Sequence, residues 1–385
     1  VSDLPLAVPA RLTRLGLSEV VNHLLEHDEP RAFDFLIDGE LLRSSLEEHL
    51  RSKGLSLEEV VIVEYFLVPK KPEHTEDKPH EDWVAGIAIS SSSSVLTASY
   101  DKTGRIWEEG ADGHAAVTLL GHEDSATCCT WVEEQGEGST RFAITGSKDY
   151  SLLAFAVPKG TGGGQSMQPC FRFRGHEGAV QAVACRDSLL CSASWDKTIK
   201  IWPMPTEKEL EELAGNSGEA ISQTGKRSKG EEGKQAVNMK DRGCLSTLVG
   251  HTQAVTGVEV GGRQEIVSGG WDHTVKSWDA EKQQCLTNLT SNSAVNGVAI
   301  SLSGLFASAH ADRAVRVWDP RAGALVRKSL ASHKGWVNAV SWSPSSEHHL
   351  VSCSHDHTIK LWDFRSSVPL HTIAAHDGKA LCVSW

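Results

Sequence analysis

Histidine, serine and aspartate recur together along this chain: His176, Ser194 and Asp196 in one stretch, His333, Ser354 and Asp356 in another. These are the residue types of a hydrolytic triad, in which an imidazole takes the serine proton and a carboxylate holds the imidazole. An active site is needed once, however, and this set returns several times, which argues for a structural role in a repeated unit. His355-Asp356-His357 and His348-His349 raise the question of zinc. Neighbouring residues of a strand point to opposite faces, and Asp356 already belongs to the repeat, so a metal site is not expected. The run Gly160 to Gly164 lacks the Lys-Ser/Thr of a phosphate loop and reads as a flexible loop. No activated nucleophile or acid/base carboxylate pair is present. The chain reads as a protein that is no enzyme and has no cofactor of its own.

The unit that carries these residues runs from Gly175 to Trp202. Gly175-His176 opens it, Val180 and Val183 alternate as a strand, Ser194 to Thr198 make a tight corner, and Ile199, Ile201 and Trp202 form a second strand. Copies align on the corner aspartate and the tryptophan six residues later: Asp101 with Trp107, Asp196 with Trp202, Asp272 with Trp278, Asp312 with Trp318, Asp356 with Trp362. Asp149 joins the series with Phe155 in place of tryptophan. The corners fall 48, 47, 76, 40 and 44 residues apart, and all but one spacing fits a propeller blade of roughly 40–45 residues. These motifs resemble WD repeats over about three quarters of the chain. The resemblance implies an all-β, seven-bladed propeller in which loop histidine, corner serine and aspartate, and tryptophan form a buried network. Its members here are His122, Asp149, His176, Ser194, Asp196, Trp202, Asp272, Trp278, Asp312, Trp318, His333, Ser354, Asp356 and Trp362. Gly270 and His310 stand where corner serines belong, and Ser291-Asn292 where Gly-His belongs, so the networks of blades four and five are expected to be incomplete.

Length and composition bound the rest. A chain of 385 residues holds one or two domains, and the repeats account for its twelve tryptophans. A net charge of −12 makes direct RNA contact secondary. Nine cysteines without C-x-x-C spacing read as reduced thiols of an intracellular protein, and no apolar run is long enough to span a membrane. The chain starts at Val1, and its last unit, His376 to Trp385, stops mid-blade, so both ends read as trimmed.

Residues 1–69 lie outside the repeats. Leu17 to Leu25 reads as an amphipathic helix with Ser18 near its N-cap, Phe33 to Ile37 as a strand, and Asp38-Gly39 as a hairpin turn leading to Leu42. Ser44-x-x-Glu47 reads as a capping box and Val60 to Phe66 as a final strand, the order of a small α+β ubiquitin-like β-grasp domain. Ser56-x-x-Glu59 reads as a second capping box, which frees Glu58 to face solvent. A linker at 70–81 then leads to the propeller at 82–385, interrupted at 203–242 by a polar insertion expected to be a mobile loop. Lys226 to Lys229 within it is either an import signal or a solvated charge run.

Gly16 to Leu25, Phe33 to Arg43 and Glu81 to Val84 resemble the Ytm-type ribosome-assembly factors, the WD-repeat members of the Pescadillo–Bop complex. The resemblance implies a non-catalytic role in large (60S) subunit assembly, in the nucleus, nucleolus and nucleoplasm. It implies docking on a Bop/Erb-type propeller in company with a Pescadillo-type protein on the pre-ribosome. The ubiquitin-like domain would be gripped by the midasin ATPase, with Glu58 completing a Mg²⁺ site that belongs to midasin. Trp271 and Trp336 are candidate anchors for the partner propeller, though core packing would explain them equally well. Rival readings are a Notchless-type factor, whose propeller carries an extra blade, and a WD-repeat substrate receptor of a ubiquitin ligase.

Overall fold

The computed structural model describes residues 6–26, 29–56, 60–74, 79–108, 115, 117–132, 141–158, 164–187, 189–206, 209, 239–322, 326–374 and 376–385. Contacts divide the chain into two compact units, Val1–His74 with Asp363–Ser367, and Thr75–Trp362 with Val368–Trp385.

The smaller unit follows the helix, hairpin, helix, strand order: α1 (Arg14–Leu24), β1 (Phe33–Ile37), β2 (Glu40–Leu41), α2 (Leu46–Lys53) and β3 (Val63–Leu67). Leu17, Val21 and Leu25, spaced four apart, put one helical stripe against Phe33, Phe35, Ile37, Leu42 and Leu50. Asp38 and Gly39 both take positive φ, 51° and 77°, as a two-residue hairpin turn between twisted strands demands. Two expected caps move. Thr13, not Ser18, precedes α1, and Ser18 is buried inside the helix, where its Oγ accepts from Phe33 N–H at 3.0 Å and donates to Phe33 C=O at 3.1 Å. Ser45 rather than Ser44 caps α2, accepting from Glu48 N–H. The last strand starts at Val63, and Val60 and Ile62 before it are 80% and 79% exposed.

The larger unit is a propeller of antiparallel sheets. Blade one holds β4 (Val84–Ile89), β5 (Val95–Ser99), β6 (Gly104–Trp107) and β7 (Val117–Leu119). Blade two holds β8 (Ala126–Val132), β9 (Arg141–Ser147) and β10 (Leu152–Val157); then β11 (Gln165–Met167) crosses to pair with β7 before β12 (Phe171–Phe173) returns. Blade three repeats this detour: β13 (Val180–Arg186), β14 (Leu189–Ser194), β15 (Thr198–Trp202), β16 (Lys240–Arg242) paired with β12, and β17 (Ser246–Val249). Blade four is β18 (Val255–Val260), β19 (Glu265–Gly270), β20 (Thr274–Asp279) and β21 (Gln284–Thr290). Blade five is β22 (Val295–Ile300), β23 (Phe306–His310), β24 (Ala314–Trp318) and β25 (Val326–Ala331). Blade six is β26 (Val337–Trp342), β27 (His349–Ser354), β28 (Ile359–Asp363) and β29 (His371–Ile373).

The innermost strands approach closely enough that side chains there are excluded: a Cβ on Gly86 would lie 2.8 Å from Cys128 Cα. Polar side chains stitch several of the inner strands to the next. Thr256 donates to Val295 C=O at 2.6 Å and Asn296 to Val337 C=O at 2.8 Å, and Asn338 makes the same bond to Ala380 C=O at 2.7 Å. Ala380 therefore opens the inner segment of a seventh blade, and on its other side Cys382 S–H points at Val84 C=O of blade one. Val383 and Ser384 complete the lining of a central channel of about 470 Å³. The fold is a seven-bladed WD-repeat propeller, with six full sheets among the described residues.

The expectation of a mobile loop over 203–242 does not hold at its ends. Arg242 packs over the Phe171 ring at 4.1 Å, donates to Met204 C=O at 3.1 Å and pairs with Glu209. Lys226 to Lys229 lie outside the described residues, as do Gly160 to Gly163.

Candidate functional site

Blades one, three, four and six are each closed by the same chain of hydrogen bonds, whose direction follows from donor chemistry. In blade three, Trp202 Nε1, Ser192 Oγ and His176 Nε2 are successive 2.8 Å neighbours, and His176 Nδ1 lies 2.6 Å from Asp196 Oδ2. An indole N–H only donates, so Ser192 accepts from Trp202 and gives its own hydrogen to His176 Nε2. Nδ1–H then donates to the carboxylate. Asp196 also accepts from Glu177 N–H and from Thr198 N–H and O–H, which fixes the corner. Lys197 inside that corner is held at φ 69°, and Lys102, Tyr150, His273, Arg313 and His357 take the same left-handed geometry in the other five blades.

The serine expected in the network, Ser194, ties the corner to the loop, and a second serine makes the bridge to tryptophan. Ser194 donates to Gly178 C=O and accepts from Asp196 N–H, so it ties the corner to the loop without touching His176. Likewise Ser352, not Ser354, joins Trp362 to His333, whose Nδ1 meets Asp356 at 2.9 Å. Ser192 is fully buried with both its partners in place, the geometry of a brace. The missed signal was a hydroxyl four residues before every corner aspartate: Thr97, Thr145, Ser192, Ser268, Ser308 and Ser352.

Blade one closes through His80, which sequence reading had placed in the linker: it meets Asp101 at 3.0 Å and Thr97 at 2.7 Å, with Trp107 donating to Thr97. In blade two His122 joins Asp149 and Thr145, each at 2.8 Å, and buried Phe155 brings no N–H. Blade four, expected to be incomplete, has the whole relay from Trp278 through Ser268 and His251 to Asp272; Gly270 costs it only the corner serine's bonds. Blade five does depart. His310 comes from the strand rather than the loop, meets Ser308 at 2.7 Å, and Trp318 donates to that same hydroxyl. The Asp312 carboxylate turns to the Arg316 guanidinium instead.

Burial raises the Asp101 carboxyl, but bonds from Thr103 and His80 outweigh it and bring it to about 2. Asp149, Asp196, Asp272 and Asp356 are depressed further by the same balance. Burial lowers His80 and His333 despite their carboxylates, and burial with the Arg316 charge takes His310 down to about 4. His355-Asp356-His357 offers no metal geometry: Asp356 is committed to His333, Lys334 N–H and Thr358, while His355 stacks on Trp336.

The residue before each corner aspartate bonds back to the loop that carries the histidine, so corners and loops share one face of the propeller. Tyr100 N–H donates to Trp83 C=O, Trp195 to Ala179, Trp271 to Ala254 and His355 to Trp336, all at 2.9 Å. That face is paved with aromatics. Trp83 tilts against Tyr100, Trp195 lies 5.8 Å from Trp271, and Trp336 stacks on His355 at 5.6 Å. Trp271 and Trp336 are 42% and 56% exposed, as are Trp83 and Trp195 at 59% and 46%. Sequence reading nominated the first two; Trp195 stands before Asp196 as Trp271 does before Asp272, which was the signal for adding it. Glu81, Asp82, Glu123, Asp124 and Glu177 stand exposed on the loops of blades one to three at this face. Glu58 and the capping box ending at Glu59 lie outside the described residues.

Comparison with known proteins gives two family models. The NLE (NUC135) domain matches residues 1–50, and the WD domain, G-beta repeat, matches 71–108, 167–203, 242–279, 283–319 and 325–363. Along its full length the chain is similar to proteins called ribosome biogenesis protein WDR12 homolog. That of Oryza sativa subsp. japonica is 38% identical, over 99% of this chain and 87% of that protein. Those of Arabidopsis thaliana (37%, over 98% and 87%) and Nematostella vectensis (34%, over 100% and 91%) are similar in the same way. Among solved structures, the WD40 β-propeller domain of Doa1 superposes with a TM-score of 0.57 at 19% identity, over 77% of this chain and 83% of that one, a likeness of fold alone.

Proposed function

The chain belongs to the family of ribosome biogenesis proteins homologous to WDR12, and from that premise we propose that it is a non-catalytic assembly factor of the large ribosomal subunit. Its propeller docks on a Bop/Erb-type WD-repeat partner, alongside a Pescadillo-type protein, in nuclear and nucleolar pre-ribosomes. Its N-terminal domain offers Glu58 to the metal site of midasin, a carboxylate being a hard oxygen ligand suited to Mg²⁺. ATP-driven pulling then releases the complex.

The observation that carries the docking reading is the face bearing four exposed tryptophans in one ring of corners and loops. Rigid aromatics of this kind anchor interfaces, and the carboxylates beside them favour a partner with a basic patch there. Affinity purification of the tagged full chain tests the whole reading. A Bop/Erb-type propeller and midasin should co-elute, with midasin lost in Glu58→Ala and on chelation of Mg²⁺. Co-elution of neither, from cells that express both, would overturn it.

A further inference from the structure

Blades two and three share a device that the other full blades lack among the described residues. Between their last two strands the chain leaves its own blade, adds a parallel strand to the outer edge of the preceding one, and returns. From blade two, β11 lies on β7 of blade one in the register Gln165–Val117 to Met167–Leu119, and Leu120 N–H donates to Met167 C=O. From blade three, β16 lies on β12 of blade two: Lys240 N–H donates to Cys170 C=O, and Arg174 N–H to Arg242 C=O. A bidentate pair locks the second strap, Arg172 Nε to Asp241 Oδ1 at 2.8 Å and Nη2 to Oδ2 at 3.0 Å. In blades four to six no strand is present among the described residues between Asp279 and Gln284, Trp318 and Val326, or Asp363 and His371, and their sheets keep four strands.

The straps span the junctions between blades one and two and between blades two and three, the first two that follow the point where the preceding chain enters the propeller. That entry is itself anchored: Arg105 Nη1 donates to Pro79 C=O at 2.8 Å, and His80 is buried in the blade-one network. Tension entering at Pro79 and His80 therefore meets blade one first, and blade one can part from blade two only by breaking the β7–β11 edge as well.

We propose that the two straps make blades one to three a mechanically reinforced sector, which keeps the propeller folded while force is applied through the N-terminal side of blade one. This rests on the reading that the chain is pulled from its N-terminal domain, and it assigns the load path within the propeller. Short added strands contribute little at equilibrium, and an exposed ion pair contributes less. Their effect appears when load is directed across the edge they close.

The test is single-molecule force spectroscopy on the full chain, tethered at its N-terminus and at the Ser303-Gly304 turn of blade five, so that load crosses blades one to three. Arg172→Asp and Asp241→Arg should each raise the rate of the first unfolding event within the propeller at fixed force by roughly three- to tenfold. The double charge swap should restore it, and Lys240→Pro, which removes the N–H bonded to Cys170, should raise it as well. Lys282→Asp, which breaks the Lys282–Asp279 pair of blade four, should leave it unchanged. Circular dichroism and thermal melts confirm that each variant is folded at zero force. Unchanged rates in the strap variants, or no recovery in the double swap, would overturn the proposal. Capture of midasin by the same variants is a separate readout that bears only on the reading that the chain is pulled from its N-terminal domain.

Discussion

At the scale of single residues, the hydrogen-bond relay makes two claims that can be measured. Ser192→Ala removes the acceptor of Trp202 N–H and the donor to His176 at once, and leaves both buried. It should cost about 1–3 kcal/mol in denaturant unfolding, more than Ser194→Ala, whose partners reach the corner backbone. Asp196→Ala should cost a similar 1–3 kcal/mol. A larger loss from Ser194→Ala than from Ser192→Ala would reverse the assignment. The second claim concerns pH. His310 titrates near 4 in the folded protein, well below an unfolded histidine, because burial and the Arg316 charge disfavour its protonation. Between that value and about 6.5 the unfolded chain binds the extra proton, so this contribution is complete above 6.5 and is lost as pH falls toward 4. His310→Gln should reduce the stability difference between pH 6.5 and pH 4 by about 2–3 kcal/mol. The corner aspartates act lower: hydrogen bonds hold them below their unfolded values, Asp101 at about 2, so they lose their contribution only as pH falls below about 4. The corners were legible in sequence because Asp and Trp keep a fixed offset. The bridging hydroxyl was not, since serine and threonine alternate through these strands and only geometry separates Ser192 from Ser194.

Elements followed from period and punctuation wherever those were strong. The hairpin at Asp38-Gly39 and the blade corners stand where their turn chemistry puts them. Caps slipped by a residue at Ser45 because Ser44 and Ser45 offer the same hydroxyl. The straps were illegible for a physical reason: Gln165–Met167 and Lys240–Arg242 are three-residue strands whose pairing is set by an open edge far along the chain, not by their own pattern. His80 escaped because Pro79 stands where glycine usually precedes the histidine, although its distance to Asp101 matches that between His251 and Asp272. One side chain joins the seventh position to blade six, beside the Ala380 N–H bond to Ser354 C=O. Asn338→Ala orphans the Ala380 carbonyl, should cost about 1 kcal/mol, and should speed amide exchange in 380–385 above that in blade four. Equal exchange in mutant and wild type would show that the terminal segment is held by something else.

For the whole molecule, the repeat count and the match to relatives along the whole chain fix the family, while the aromatic face proposed for docking emerges only once the blades are closed. Trp83, Trp195, Trp271 and Trp336 are scattered in sequence and converge because every corner folds onto its histidine loop. The carboxylates on the loops of blades one to three add an electrostatic prediction: association with the partner propeller should slow as salt is raised, with little change in the dissociation rate. Surface plasmon resonance over a salt series checks it. The most direct measurement is the affinity of the full chain for a Bop/Erb-type propeller by titration calorimetry, comparing wild type with Trp271→Ser and Trp336→Ser, each confirmed to be folded. Docking through this face predicts a loss of at least about tenfold for each substitution. An affinity equal to wild type in both would contradict it.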